Sequence, residues 1–467
     1  MNSMNGKNKE TGIEKEPQEE RERVKLPRLV IAATQSGAGK TTIVTGLIRA
    51  LVKRGIITTA HKIGPDYIDP GYHELASGLP SQNLDSWLVN KERLFKNFLI
   101  QATRGDFAVI EGVMGLYDGG KNGISSTAEI AKLLSAPVVL VIDCKSMGES
   151  AAALALGFCK YDPRVNIVGV ILNRLGSDTH REMIAEAMRK INLPVLGAVK
   201  RDSEIVMPER HLGLLPTAEN KRAREDLIDR LGEIMSEQLD LDALIAAANS
   251  APDFNIVYGR KKPAPKPSFF DKPRRVAVAK DEAFSFYYPD GLDRLQIWGA
   301  ELIYFSTLAD EPIPEADAVI LGGGFPEMFA EKLAANDTTR QSLKKFAATG
   351  KMIYAECGGY MYLMQRLIDF DGRAYPMTGI LPGEVTMQKK LQTVGYVTAK
   401  LNCDCLLGKV GEEIRGHEFH FSRVQPLTED WPYAFQITRQ RNGETYPAGY
   451  AANNILGSYL HINFAGL

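Results

Sequence analysis

The segment Thr34-Gln35-Ser36-Gly37-Ala38-Gly39-Lys40-Thr41-Thr42 constrains this chain more than any other. It follows a short apolar run at 29–34 and opens an amphipathic stretch at 40–54. A strand that breaks through a glycine-rich loop into a helix aims several backbone N–H groups, and the positive end of the helix, at one point. That geometry binds phosphate. Lys40 then reaches the β- and γ-phosphates and the Thr41 hydroxyl binds Mg²⁺. Thr34 stands where the standard pattern has glycine, and Gln35 replaces the extra lysine of partition-type ATPases. Nucleotide binding is the expectation for Gln35 to Thr42.

A loop of this kind needs a parallel sheet around it. Apolar runs at 57–63, 107–111, 137–143, 166–173 and 195–199 alternate with helical patterning at 91–102, 127–134 and 181–191. This alternation predicts an α/β domain with helices over a parallel sheet. An amphipathic stretch at 217–249 is expected to close it. Pro263, Pro265, Pro267 and Pro273 mark residues 251–273 as a linker. A second alternating pattern follows, with strands expected at 275–279, 301–305, 318–321, 352–354 and 457–464. The expected division is a disordered tail at 1–26, a phosphate-loop domain at 27–250, the linker at 251–273 and a second α/β domain at 274–467. No internal repeat is visible.

Bulk properties exclude several classes. Hydrophobic residues make up 44% and charged residues 24%, and the net charge is -1. Neither a nucleic-acid partner nor a membrane is expected. The five cysteines, at 144, 159, 357, 403 and 405, are too few and too irregular for a disulfide framework, which points to the cytoplasm. Cys403 and Cys405 lack a second Cys or His pair at metal-site spacing. Cys144 and Cys159 sit in apolar contexts as packing residues.

Cys357 differs. It lies in Tyr354-Ala355-Glu356-Cys357-Gly358-Gly359-Tyr360, where a buried strand is expected to break into a helix. Such a turn presents a thiol to solvent over a helix N-terminus, which favours thiolate. Cys357 is therefore the expected nucleophile. The N–H groups of Gly358 and of a residue within Gly322-Gly323-Gly324, Gly323 being the natural choice, are the expected oxyanion donors. In the first half, Asp66, Asp69 and Glu111 fall at strand ends, where open α/β sheets bind ligands, and are candidates for Mg²⁺ together with Thr41.

Longer motifs carry a resemblance. They are Lys62-Ile63-Gly64-Pro65-Asp66-Tyr67-Ile68-Asp69-Pro70-Gly71-Tyr72-His73, Asn83-Leu84-Asp85-Ser86-Trp87, Glu111-Gly112-Val113-Met114-Gly115-Leu116-Tyr117-Asp118-Gly119 and Pro208-Glu209-Arg210-His211-Leu212-Gly213-Leu214. The second half adds Phe284-Ser285-Phe286-Tyr287-Tyr288-Pro289, Gly322-Gly323-Gly324-Phe325-Pro326-Glu327, Arg415-Gly416-His417-Glu418-Phe419-His420 and Ser458-Tyr459-Leu460-His461. In this order they resemble the cobyrinic acid a,c-diamide synthase family over about residues 28–464.

The resemblance implies a dethiobiotin-synthetase-like domain joined to a class I glutamine amidotransferase domain. It implies ATP- and glutamine-dependent amidation of the a and c acetate groups of a tetrapyrrole polycarboxylate, through acyl phosphates. Asp66, Asp69, Glu111 and Asp118 become the sensitive acids of the synthetase site, and Asn173 resembles the adenine-reading asparagine of related ATPases. His461 follows a terminal apolar strand, where class I amidotransferases carry their base. His417 and His420 are the alternatives. Standard members place Glu two residues after the base, but this chain has Asn463, and cobyrinate-type members share that lack. Cobyrinate, on the way to cobalamin, and Ni-sirohydrochlorin, on the way to coenzyme F430, both stay open as substrates. Cobyric acid synthase and a regulatory P-loop ATPase with a degenerate second domain are the competing readings. The oligomeric state, a homodimer included, is open.

Overall fold

The computed structural model describes residues 20–201, 209–210, 213–214, 221–258 and 274–467. Seven parallel strands form the first sheet, in the order Gln82–Leu84, Thr58–Ile63, Phe107–Glu111, Arg28–Ala33, Val138–Asp143, Ile167–Leu175, Val195–Lys200. All six residues of Arg28–Ala33 are buried. Leu29, Ile31 and Ala33 enter the core on one face, while Val30 and Ala32 enter the core on the other. Such a strand needs an apolar run rather than alternation, because helices cover both faces. The helix Lys40–Lys53 leaves the C-terminal end of this central strand, at the point where chain crossovers diverge to either side. The helix Lys221–Gln238 packs on it, with Leu231 and Met235 against Gly46.

The second sheet has the order Ala300–Phe305, Arg274–Ala279, Ala318–Leu321, Met352–Glu356, Ile455–Ser458, Tyr450–Ala452. It is parallel except for the last strand. Two further four-stranded sheets lie between Arg366 and Ala448 in sequence. One of them, with Glu413–His420 at its edge, packs its apolar face on the second sheet through Val397, Ile414 and Ile437.

Three sequence expectations change here. Residues 20–24 and 254–258 pair as an antiparallel ribbon, so the tail and the linker each give up an end to structure. Phe254 supplies the reason: it buries its ring against Phe95, Phe98 and the Arg28 guanidinium. The expected strand at 457–464 stops at Ser458, beyond which His461 makes a single backbone bridge to His417. The motif at 208–214 lies partly outside the described residues, and His211 lies wholly outside them.

The halves meet through motif residues. Tyr67 stacks on Phe286 at 5.0 Å and tilts against Tyr288 at 4.5 Å. The Trp87 indole donates to Gly416 O (3.0 Å), the Tyr396 hydroxyl to Asp85 Oδ2 (2.7 Å), and Arg93 Nη1 to Ala465 O (2.7 Å). The segment around Asn83–Trp87 thus serves the junction between the two sheets.

Candidate active sites

The phosphate loop sits above the central strand of the first sheet. Gly39 has φ of 88°, and a Cβ there would lie 2.4 Å from Asn173 Nδ2. Only glycine meets both demands. Asn173 Nδ2 donates to Ala38 O (2.8 Å) and its carbonyl accepts from Arg174 N (2.9 Å), so the structure sets Asn173 as a brace under the loop. Reading an adenine would require that amide to exchange the bond to Ala38. Gly39→Ala is expected to weaken nucleotide binding at least about tenfold, because a left-handed residue and a clash together cost roughly 1–3 kcal/mol. Titration with a fluorescent ATP analogue measures this, and an unchanged Kd would contradict it.

Below the loop, charges converge. The Thr41 hydroxyl donates to Glu111 Oε1 (2.7 Å) and also lies 3.2 Å from Asp69 Oδ2. Lys62 Nζ bridges Asp69 (2.6 Å) and Glu111 (2.9 Å), and His73 Nε2 meets Glu111 Oε2 at 2.7 Å. Glu111 is fully buried. Burial would raise its pKa, but Lys62 and His73 hold it below the usual carboxylate range. Asp69 is pushed up, by burial and by Asp66. Lys40 donates to Met114 O (2.6 Å), and burial together with Lys62 lowers it to about 8.

The expected metal candidates were Thr41, Asp66, Asp69 and Glu111. Of these, Asp69 and Glu111 approach the Thr41 hydroxyl, while Asp66 Oδ1 accepts from Ile68 N (2.8 Å) at the start of a helix. Two carboxylates and a hydroxyl are hard oxygen donors, and they fit Mg²⁺. Asp118 accepts from Gly115 N (3.1 Å) inside the loop that also supplies Met114. Lys62 was absent from the expected site. Its signal was present: a lysine in the six-residue buried strand Thr58–Ile63 requires a charged partner.

At the second site Cys357 has φ 45° and ψ -102°, a strained conformation for a residue with a side chain. Close packing enforces it. A Cβ on Gly359 would fall 2.3 Å from Leu321 O, so the turn can press against the neighbouring strand. Two expectations are corrected. Cys357 is only 7% exposed rather than open to solvent, since Sγ lies 4.0 Å from Phe419 O of the strand Glu413–His420. The helix behind it, Gly358–Tyr362, has five residues, too few for a large dipole. The nearby group that can carry positive charge is His461, which hydrogen-bonds the thiol.

The structure separates the three histidines. His420 stacks on Tyr459 at 3.8 Å, donates its Nδ1–H to Ser422 O (2.8 Å), and is lowered to about 4 by burial. His417 stacks on His461 at 4.9 Å, bonds the Tyr288 hydroxyl (2.8 Å), and is also lowered by burial. His461 hydrogen-bonds Cys357. Burial would lower it, but Cys357 and then Glu356 overcome that and raise it to about 10. Its Nδ1 lies 3.4 Å from Glu356 Oε2 and 3.4 Å from the Tyr67 hydroxyl. A Cβ on Gly323 would fall 2.8 Å from His461 Cε1, and one on Gly358 would fall 3.0 Å from Gly324 N. Asn463 does not touch His461; it donates to Asp290 Oδ1 (3.0 Å) and caps the final turn.

Comparison with known proteins matches these two sites to two family models. Residues 29–215 match the CobQ/CobB/MinD/ParA nucleotide binding domain, and residues 275–466 match the CobB/CobQ-like glutamine amidotransferase domain. The cobyrinate a,c-diamide synthase of Dehalococcoides mccartyi (strain CBDB1) is 45% identical over 450 residues, covering 94% of this chain and 95% of that protein. The chain belongs to the cobyrinate a,c-diamide synthase family. The family member of Listeria monocytogenes (strain EGD-e), also named cobyrinate a,c-diamide synthase, is 43% identical over 94% of this chain and 96% of its own. The hydrogenobyrinate a,c-diamide synthase of Streptomyces coelicolor is 41% identical over 94% and 95% respectively. As a family member the chain is an enzyme, a glutamine-dependent carbon–nitrogen ligase with a nucleotide-binding domain and an amidotransferase domain. No helix among the described residues is long and apolar enough to cross a membrane.

Proposed function

We propose that this enzyme amidates the a and c acetate groups of a cobyrinate-type corrinoid, using ATP and glutamine, in cobalamin biosynthesis. The observation that carries the reading is the near full-length identity of 41–45% to synthases named for cobyrinate and hydrogenobyrinate, on a chain that holds both sites intact.

At the second site, Cys357 Sγ attacks the glutamine carboxamide carbon, and the oxyanion is held by the N–H groups of Gly323 and Gly358. The C–N bond breaks as His461 gives its proton to the leaving nitrogen, which departs as ammonia. Water then hydrolyses the thioester and releases glutamate. At the first site, a substrate carboxylate oxygen attacks the γ-phosphorus of ATP, ADP leaves, and an acyl phosphate forms. Ammonia attacks the acyl carbon and phosphate departs. Lys40 offsets charge on the transferred group. Thr41, Asp69 and Glu111 would hold Mg²⁺, which when bound neutralises phosphate charge. Asp66 and Asp118 orient the substrate or take the proton from ammonia.

The test is incubation with ATP, Mg²⁺ and glutamine plus cobyrinate, hydrogenobyrinate or Ni-sirohydrochlorin, with the products read by mass. A diamide from the corrinoids is expected. Amidation of Ni-sirohydrochlorin alone would transfer the assignment to coenzyme F430 biosynthesis.

A further inference from the structure

The residue directly before the nucleophile has no assigned task. Glu356 is 6% exposed and ends the strand Met352–Glu356. A carboxylate so deeply buried needs partners for both oxygens. Oε1 accepts from the Tyr354 hydroxyl (2.6 Å) and from Ile462 N (3.3 Å). Oε2 faces His461 Nδ1 at 3.4 Å. We propose that Glu356 is the positioning residue for the base His461, taking the place of the glutamate that position 463 lacks.

Three observations carry this. Asn463 is occupied by Asp290 and Ala465 N and cannot serve. Tyr67, the other neighbour of Nδ1, keeps its phenolic proton, because burial and then Glu356 push its pKa well up. A neutral phenol offers no negative charge to an imidazolium. The register of the sheet does the rest: Glu356 pairs with Ser458 on the adjacent parallel strand, three residues before His461. A glutamate at the end of one strand can therefore reach a histidine just past the end of the next. The sequence spacing between carboxylate and base is lost, but their spatial relation is rebuilt across two strands.

The mechanism is tautomer control. With Nδ1–H directed at Oε2, the other ring nitrogen is left to face Cys357 and take its proton. In Glu356→Gln the amide oxygen would keep the two donors at Oε1. Its NH₂ would then face Nδ1 and force the ring into the opposite tautomer. The groups facing His461 are Cys357, Glu356, Tyr67, His417, Glu418 and His420. Of these, Cys357 and Glu356 raise its pKa.

This inference rests on the Cys357–His461 reading, and the experiment separates the two. Glu356→Gln, Glu356→Asp and His461→Ala are assayed in the full chain for glutamine-driven against ammonia-driven amidation. Glu356→Gln is expected to lower that ratio roughly 10²- to 10⁴-fold through kcat, with KM for glutamine little moved. The alkaline limb of the glutaminase profile should fall from near pH 10 to a lower pH, since His461 loses the partner that helps hold its proton. Glu356→Asp should restore most of the rate. Nitrogen-15 NMR of the wild-type ring, assigned by loss of its signal in His461→Ala with the wild-type thermal transition, should show a protonated Nδ1, a readout independent of whether the Glu356 variants fold. An unprotonated Nδ1, or a wild-type ratio and alkaline limb in Glu356→Gln, overturns the proposal while leaving the dyad standing. A wild-type ratio in His461→Ala overturns both.

Discussion

Cys357→Ala is expected to abolish glutamine-driven amidation, by roughly 10⁴-fold or more, while ammonia-driven amidation persists. The asymmetry follows from the architecture. The thiol lies at the end of the second sheet, in contact with His461 and Phe419, whereas the phosphate loop is built on the first sheet. In the proposed mechanism, ammonia in solution bypasses the thioester and meets the acyl phosphate directly. The measurement is initial rate of ADP release and corrinoid product mass with each nitrogen source. Equal loss with both sources, in a variant with the wild-type thermal transition, would show that Cys357 also serves the synthetase reaction.

Lys62→Met carries the second large effect, on stability as well as turnover. Burial alone would lower the pKa of Lys62, but Asp69 and Glu111 reverse that and keep it charged. Its side chain is 5% exposed and that of Glu111 is 0% exposed. Removing the lysine leaves two buried carboxylates without their shared cation, at a cost of about 3–5 kcal/mol. The double variant Lys62→Met/Glu111→Gln should cost clearly less than the sum of its parts, because the charge left behind is also removed. Denaturant unfolding, followed by hydrogen exchange in the strand Thr58–Ile63, measures both. A cost under about 1 kcal/mol for Lys62→Met would show that the cluster is open to water. Ammonia-driven amidation should also fall, since Asp69 and Glu111 flank the Thr41 hydroxyl.

The phosphate loop was legible because local order creates it. Strand, glycine loop and helix follow one another in sequence, and each carries its own pattern. Most strands of the two large sheets were legible too, since a strand buried on both faces such as Phe107–Glu111 is an apolar run up to its last residue, but the short edge strands Gln82–Leu84 and Tyr450–Ala452 were not read. The two sheets between Arg366 and Ala448, antiparallel except where Arg366–Ile368 pairs with Gly383–Met387, left a weaker mark, and none of their strands was read. Their alternation is interrupted: the strand Thr393–Leu401 buries Thr393, Val397, Ala399 and Leu401 but exposes Val394 and Gly395. The ribbon joining 20–24 to 254–258 was hidden because its partners lie over 200 residues apart and it rests on one anchor, Phe254.

Residue types along the chain established the chemistry: a phosphate loop at 34–42, acids after strands, a cysteine at a strand end and a histidine near the terminus. Such groups announce themselves because buried or strained polar residues are expensive without a purpose. The tertiary structure decided which of them act together. It brings His461, rather than His417 or His420, to Cys357, Asp69 to the Thr41 hydroxyl, and Glu356, rather than Asn463, to His461. Those choices depend on strand register and on which face a side chain leaves, and a contact between residues about 100 apart, such as Glu356 and His461, has no local trace. Proximity across a sheet is set by the packing of the whole domain, so only the folded chain contains it.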